Sequence, residues 1–435
     1  MRENAMEPIA SKVARTLEAI SNLNPRYRAF SHPAPIDAAS IRQLENELAN
    51  NQRRSGIHGL TVSVKGNIPV KTLPWTEGSA IYAGRIASHD AAIVQQARTA
   101  GGILVGVTTL SELAMYGVEN AFEPMGLNPW DLKRTAGGSS TGAGVAAALN
   151  LADVNIGTDS GGSIRNPACH CGVVGFMPRI GALSLAGKTN YTPSLSSVSL
   201  IARSVSLVSR SFAALSGEDK RPSLTRRLIV PRRLIECMSD APTRAIFDGA
   251  IERLAAAGFD LVEKNLDGWL DAERAAGVIS LFECGQALTT MDLTRVSEGI
   301  RRRAAAAKSL EADRVANARE TARVFKETVR NAIEETGSDA IVTPTWPFAA
   351  PLIEAETASI DGRVVPLDPH RNCFVRAGNA IDACALTLPS GLYPEERVPA
   401  GLHLMNSGGH EGRLLALAEA VEAVMPKLPA PPPIQ

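Results

Sequence analysis

The chain has 435 residues, 45% of them hydrophobic and 21% charged, which is enough apolar material for a sizeable core and excludes general disorder. Its 45 Lys and Arg balance 45 Asp and Glu, and only 4% of residues are aromatic. A general nucleic-acid binder or membrane-surface protein would carry a basic excess, and a single-strand platform would carry aromatics, so these classes are set aside.

In chain order, residues 6–48 read as helical, with Ile9, Val13, Leu17 and Ile20 at helical spacing. Pro25, Pro33 and Pro35 should divide this stretch into at least two helices. Leu60-Thr-Val-Ser-Val64 alternates as a strand and runs into a turn at Lys65-Gly66-Asn67. A helix over 89–100 and a strand over 102–106 continue the alternation of an α/β sheet. Residues 136–187 are dense in Gly and Ser but contain apolar runs such as Val145-Ala-Ala-Ala-Leu149, so they read as tightly turned backbone inside the fold and not as a linker. Residues 243–263 read as a helix with a strand-like end. Residues 273–336 read as two or more long helices of mixed charge, whose Arg301-Arg-Arg303 run is assigned to a solvated face. Asp339-Ala-Ile-Val342 is a short strand, and the proline-rich stretch 429–433 should fray. Charges throughout residues 1–20 leave no signal-peptide core, and no run of 18 apolar residues exists. The six cysteines suggest no disulfide framework, so the expectation is a cytoplasmic protein without membrane spans.

Several motif matches fail on context. Gly138-Ser139-Ser140-Thr141-Gly142 has the spacing of a nucleophile elbow at Ser140, but charged residues stand where the preceding strand should be. Gly142-Ala-Gly144 lacks the strand of a dinucleotide fingerprint, and Gly187-Lys188-Thr189 lacks the first glycine of a phosphate loop. Cys169-His170-Cys171 has no second cluster to complete a metal site and reads as buried thiols. No metal or cofactor is expected.

Three segments reinforce one another instead. Val62-Ser-Val64-Lys65 puts one lysine in an apolar frame. Ala136-Gly-Gly-Ser139-Ser140 is followed, 24 residues after Ser139, by Ser163 in Gly157-Thr158-Asp159-Ser160-Gly161-Gly162-Ser163-Ile164-Arg165-Asn-Pro167. A serine hydroxyl needs a base to become a nucleophile, and no histidine is placed by any motif. A lysine serves as base when burial disfavours its ammonium, and Val62 and Val64 suit that setting. The run from Ser160 to Ser163 offers consecutive backbone N–H groups, the material of an oxyanion hole worth about 3–4 kcal/mol per donor.

These segments, with Asn128-Pro-Trp-Asp131 and Cys171-Gly-Val-Val-Gly-Phe-Met-Pro178, closely resemble the amidase signature family. The likeness is strong over about 56–205 and looser over 338–425, where Asp339–Thr345 and Val398–Leu404 resemble the closing strands. It implies one α/β domain with a mixed central sheet covered by helices on both faces. Within residues 1–435 it implies a catalytic core at 55–205, a variable helical insert region at 206–337 and a C-terminal part of the core at 338–428. It assigns Lys65 as base, Ser139 as the bridging serine on a cis peptide and Ser163 as nucleophile, beside which Ser160, Gly161 and Gly162 read as the oxyanion hole. Tyr116, Thr158 and Arg165 become substrate-binding candidates. Arg165 reads equally well as a loop-ordering partner of Asp159, itself read as an acceptor of backbone N–H bonds; Tyr116 reads equally as packing, and Trp346 reads as packing before a pocket wall. The sequence departs from the pattern at Gly66, where an acid is usual, at Thr141, at Arg179 and at Ser196–Leu200.

The expected function is hydrolysis of a carbon–nitrogen amide bond in a small carboxamide or urea-type substrate through a Ser-acyl intermediate, without nucleic-acid or membrane partners. A glutamine-hydrolysing subunit of an amidotransferase assembly is the second reading, and a non-catalytic binding protein a third. The charged helices at 295–336 suit a homodimer as readily as a solvent face.

Overall fold

A computed structural model of the chain describes residues 7–115, 122–218 and 222–432. Helix α1 (Ile9–Tyr27) buries Ile9, Val13, Ile20 and Tyr27 and ends at Arg28 in the left-handed conformation, carrying Pro25 inside its last turn. A short strand, β1 (Phe30–Pro33), which the sequence reading missed, separates it from α2 (Ala38–Ala49). Then follow β2 (Thr61–Lys65), α3 (Ala92–Thr99), β3 (Ile103–Thr108), α4 (Thr141–Ala148), β4 (Val154–Asp159), α5 (Arg165–Cys171), β5 (Val174–Met177), β6 (Ser197–Ala202) and α6 (Val205–Ser216). Next come β7 (Arg227–Val230), α7 (Arg232–Met238), α8 (Ala241–Ala256), β8 (Asp260–Glu263), α9 (Trp269–Leu288), α10 (Glu298–Lys308), α11 (Ala312–Thr336) and β9 (Ala340–Pro344). A hairpin of β10 (Thr357–Ile360) and β11 (Arg363–Pro366) leads through the short turns α12 (Leu367–His370) and α13 (Arg376–Ala380) to β12 (Cys384–Leu392), β13 (Pro399–Asn406) and α14 (Glu411–Glu422).

Eleven strands form one mixed sheet in the order β1-β3-β2-β4-β6-β5-β12-β13-β9-β7-β8. Its parallel pairs are β3–β2, β2–β4, β9–β7 and β7–β8, and the remaining pairs are antiparallel. Strands β2, β3, β4, β6 and β9 are buried along their whole length, as expected for strands covered on both faces. The fold is a single α/β domain. The middle region is more than a helical insert: β7 and β8 extend the common sheet, because Arg227-Leu-Ile-Val230 can bury three consecutive apolar side chains only against another layer. The site follows from this topology. Parallel β2 and β4 are neighbours, so their C-terminal ends bring Lys65 and Asp159 to the same edge of the sheet.

Candidate active site

Lys65 is the last residue of β2 and is fully buried. It belongs to the strand and not, as the sequence suggested, to the turn after it. Its Nζ lies 2.7 Å from Ser139 Oγ and donates to Thr158 Oγ1 at 3.1 Å. Asn67 Nδ2 donates to the same threonine oxygen at 3.2 Å. Burial first, and then the like charge of Lys188, push the Lys65 ammonium well below the usual lysine range, while Asp159 opposes them. Burial thus favours the neutral amine, which lies in hydrogen-bond contact with the Ser139 hydroxyl.

Ser139 follows a cis peptide bond from Gly138. Its carbonyl accepts from Ser111 N–H at 3.2 Å, and the next N–H, of Ser140, donates to the Ser163 carbonyl at 3.1 Å. The glycine–serine segment and the second serine loop are therefore stitched together by backbone. Ser163 lines a cleft of about 600 Å³, beside Asn67, Gly138, Thr158, Ser160 and Gly161, while Lys65 and Ser139 lie beneath it. The hydrogen bonds of the described residues include the Lys65–Ser139 link and none from Ser163 Oγ.

The loop between β4 and α5 is built around Asp159. One carboxylate oxygen accepts from Gly161 N–H at 3.2 Å and Gly162 N–H at 2.7 Å, and the other from Ile164 N–H at 3.1 Å. Arg165 holds the same carboxylate through Nε at 3.0 Å and Nη2 at 3.1 Å. Burial alone would raise the Asp159 carboxyl, but the Arg165 guanidinium and these donors hold it well below the usual range. Gly162 is at φ 106°, and a Cβ there would come 2.7 Å from Val375 Cγ2, so only glycine fits.

These contacts revise two expectations. Arg165 does not line the cleft: it is fully buried, and its remaining donors reach the Val375 carbonyl at 2.8 Å and Asn379 Oδ1 at 2.6 Å. It takes the loop-ordering role instead of the substrate contact. Of the three expected oxyanion donors, Gly161 and Gly162 are already engaged by Asp159, whereas the N–H groups of Ser160 and Ser163 make no hydrogen bond among the described residues. Thr158 lines the cleft and also accepts a hydrogen bond from the lysine. Tyr116 lies outside the described residues.

The other singled-out features are structural. Ser140 Oγ is buried and donates to the Thr158 carbonyl at 3.2 Å, with no strand before it, so no elbow forms. Cys169 and Cys171 are buried on α5, burial raising the Cys169 thiol to about 12, and no metal-holding group of side chains occurs among the described residues. Trp346 is buried edge-on against His170, 4.6 Å between ring centroids. At Gly66 a Cβ would come 2.8 Å from Leu110 Cδ2: the space of the usual acid is filled by leucine.

The sequence reading missed the cations of the cleft. Lys188, noted only as a failed phosphate loop, lines it and is lowered to about 8, chiefly by burial. Arg302 and Arg303, assigned to a solvated face, also line it, as do Arg371 and Arg376. Which way a charged helical residue faces is set by packing, so no local signal in the sequence could have found them.

Comparison with known proteins gives the family and the fold. The Amidase family model matches residues 12–415. The chain is 30% identical, over 91% of its length and 88% of the relative's, to a glutamyl-tRNA(Gln) amidotransferase subunit from Anaeromyxobacter sp. (strain K). It superposes on the crystal structure of an amidase with a TM-score of 0.87 at 26% identity, covering 97% of both chains. It also shares its fold with 6-aminohexanoate cyclic dimer hydrolase, with a TM-score of 0.83 at 22% identity, covering 96% of this chain and 94% of that one.

Proposed function

Because the chain belongs to the amidase family and is a hydrolase of amide carbon–nitrogen bonds, we propose that it cleaves a small carboxamide or urea-type substrate by a Ser–Ser–Lys relay. The observation that carries this reading is the contact of a fully buried lysine amine with Ser139 beneath a cleft lined by Ser163.

Neutral Lys65 takes the Ser139 proton as Ser139 takes that of Ser163, and Ser163 Oγ attacks the amide carbon. Charge on the former carbonyl oxygen meets the N–H groups of Ser160 and Ser163, with Gly161 and Gly162 able to share their protons with Asp159. The protonated lysine returns its proton through Ser139 to the leaving nitrogen, the C–N bond breaks, and ammonia or an amine departs. Water then attacks the acyl ester by the same route in reverse, releasing the acid and restoring Ser163. Thr158 and Asn67 fix the lysine's position. Six free cysteines accord with a cytoplasmic location, and among the described residues no helix is long and apolar enough to cross a membrane.

A second reading, part of an amidotransferase that passes ammonia to a partner, is favoured by the likeness to the Anaeromyxobacter protein. A panel of amides scored by ammonia release tests the first reading: the purified chain should turn over at least one without a partner, and Ser163→Ala should abolish that turnover while leaving the circular dichroism spectrum unchanged. Release that occurs only with a co-purifying protein would support the second reading instead.

A further inference from the structure

The chain as a whole is electrically balanced, but the cleft is not. Among the described residues, five cationic side chains line it, Lys188, Arg302, Arg303, Arg371 and Arg376, against one lining carboxylate, that of Asp368, with Glu77 acting on Lys188 from beside the cleft. Three of the five have carboxylate neighbours: Arg302 with Glu298 at 3.1 Å, Arg371 with Asp368 at 2.8 Å and Arg376 with Glu273 at 3.0 Å. Lys188 and Arg303 make no ion pair among the described residues, and the hydrogen bond of Lys188 goes to the Thr189 carbonyl at 3.0 Å. Arg376 stands beside the serine loop. A Cβ on Gly161, two residues before Ser163, would meet its Cγ and Nε at 3.5 Å. Its contact with Glu273 is ionic without hydrogen-bond alignment, since Glu273 Oε1 finds no donor. Its guanidinium therefore keeps N–H groups to offer. Like charges gathered in one half-buried cleft repel one another, a cost to folding that a bound anion would offset.

Resting on the Ser163 reading above, we propose that the substrate is an anionic amide. Its carboxamide faces Ser163, and a carboxylate a few bonds away is gripped by Arg376 in the field of Lys188 and Arg303. An arginine fork matches a carboxylate in two parallel hydrogen bonds, and a cleft of about 600 Å³ accommodates a small acid amide with room for water. Hydrolysis of such a monoamide adds water across the C–N bond and yields a dicarboxylate and ammonia. Lys188 also helps to hold the Lys65 amine neutral, so the base and the ligand's charge are served by one field.

Succinamate and its neutral counterpart succinamide provide the test, in two readouts. Binding to the Ser163→Ala protein by calorimetry should be at least ~10-fold tighter for succinamate, and the preference should shrink as salt is raised from about 0.05 to 0.5 M. In the parent protein the ratio of kcat/KM for succinamate over succinamide should exceed ~10, and should fall toward 1 in Arg376→Gln and in part in Arg303→Gln. A ratio within one variant cancels any loss of folded protein. Equal binding and equal turnover of the two amides would overturn the proposal and leave the amidase reading standing. Selective binding of succinamate without turnover of either amide would sustain the anion site and count against the relay.

Discussion

In the proposed relay the chemistry turns on Lys65, and two consequences of its burial can be measured. The active form is the neutral amine, so activity should be lost as pH falls through the Lys65 pKa, which lies well below the usual lysine value. The charge of Lys188 contributes to that depression and Asp159 opposes it. Lys188→Met should therefore move the acid limb of the pH–rate profile to higher pH, and an unmoved limb would remove Lys188 from the account. Stability should follow the same group. A lysine whose folded pKa lies below its unfolded value binds fewer protons when folded, so its cost to stability is fully present below the folded pKa and fades as pH rises through the unfolded one. Lys65→Met should then lower kcat by about 10²–10⁴ while raising the melting temperature at neutral pH. A melting temperature that falls would mean the lysine holds the site together rather than straining it.

At the level of elements, the loop joining β4 to α5 is a preorganised shell around one carboxylate. Arg165→Met leaves Asp159 buried without its countercharge and should cost about 3–5 kcal/mol, read as a shift in the denaturant midpoint. Gly66→Asp, which restores the residue usual in the family, should destabilise, because its Cβ would come 2.8 Å from Leu110 Cδ2 and 3.3 Å from the Thr108 carbonyl. Adding Leu110→Ala should recover part of that loss, and failure to do so would place the strain at Thr108. Much of this scale was legible in the sequence. Lys65, Ser139, Thr158 and Ser163 could be singled out because each sits in a short segment whose local chemistry is distinctive, and Asp159 could be read as an acceptor because glycines and backbone donors follow it immediately. What was not legible came from elements distant in sequence. Arg165 turned away from the cleft because Val375 and Asn379, more than 200 residues on, receive its donors. Gly161 and Gly162 turned their N–H groups to Asp159, and no spacing rule distinguishes that from an open oxyanion hole.

For the whole molecule, the alternation of apolar runs announced an α/β sheet, but not its extent. β1 escaped notice because Phe30-Ser-His-Pro33 is short and ends in proline, and β7 because it is a four-residue strand amid helices, whereas β8 is the strand-like end read for 243–263. Their place in the common sheet makes the middle region part of one folding unit, and α9 and α10 bring Gly277, Cys284, Arg302 and Arg303 to the wall of the cleft. Loss of catalytic competence and loss of near-ultraviolet circular dichroism should therefore coincide in a urea titration; an earlier transition confined to residues 206–337 would mark a separable domain. The central claim, that a neutral Lys65 activates Ser163 through Ser139, is tested most directly by fluorophosphonate labelling with the adduct mapped by mass spectrometry across pH. The account predicts a single adduct on Ser163 whose rate of formation rises with pH and collapses in Lys65→Met. An adduct on Ser140, or labelling of Ser163 at an undiminished rate without the lysine, would contradict it.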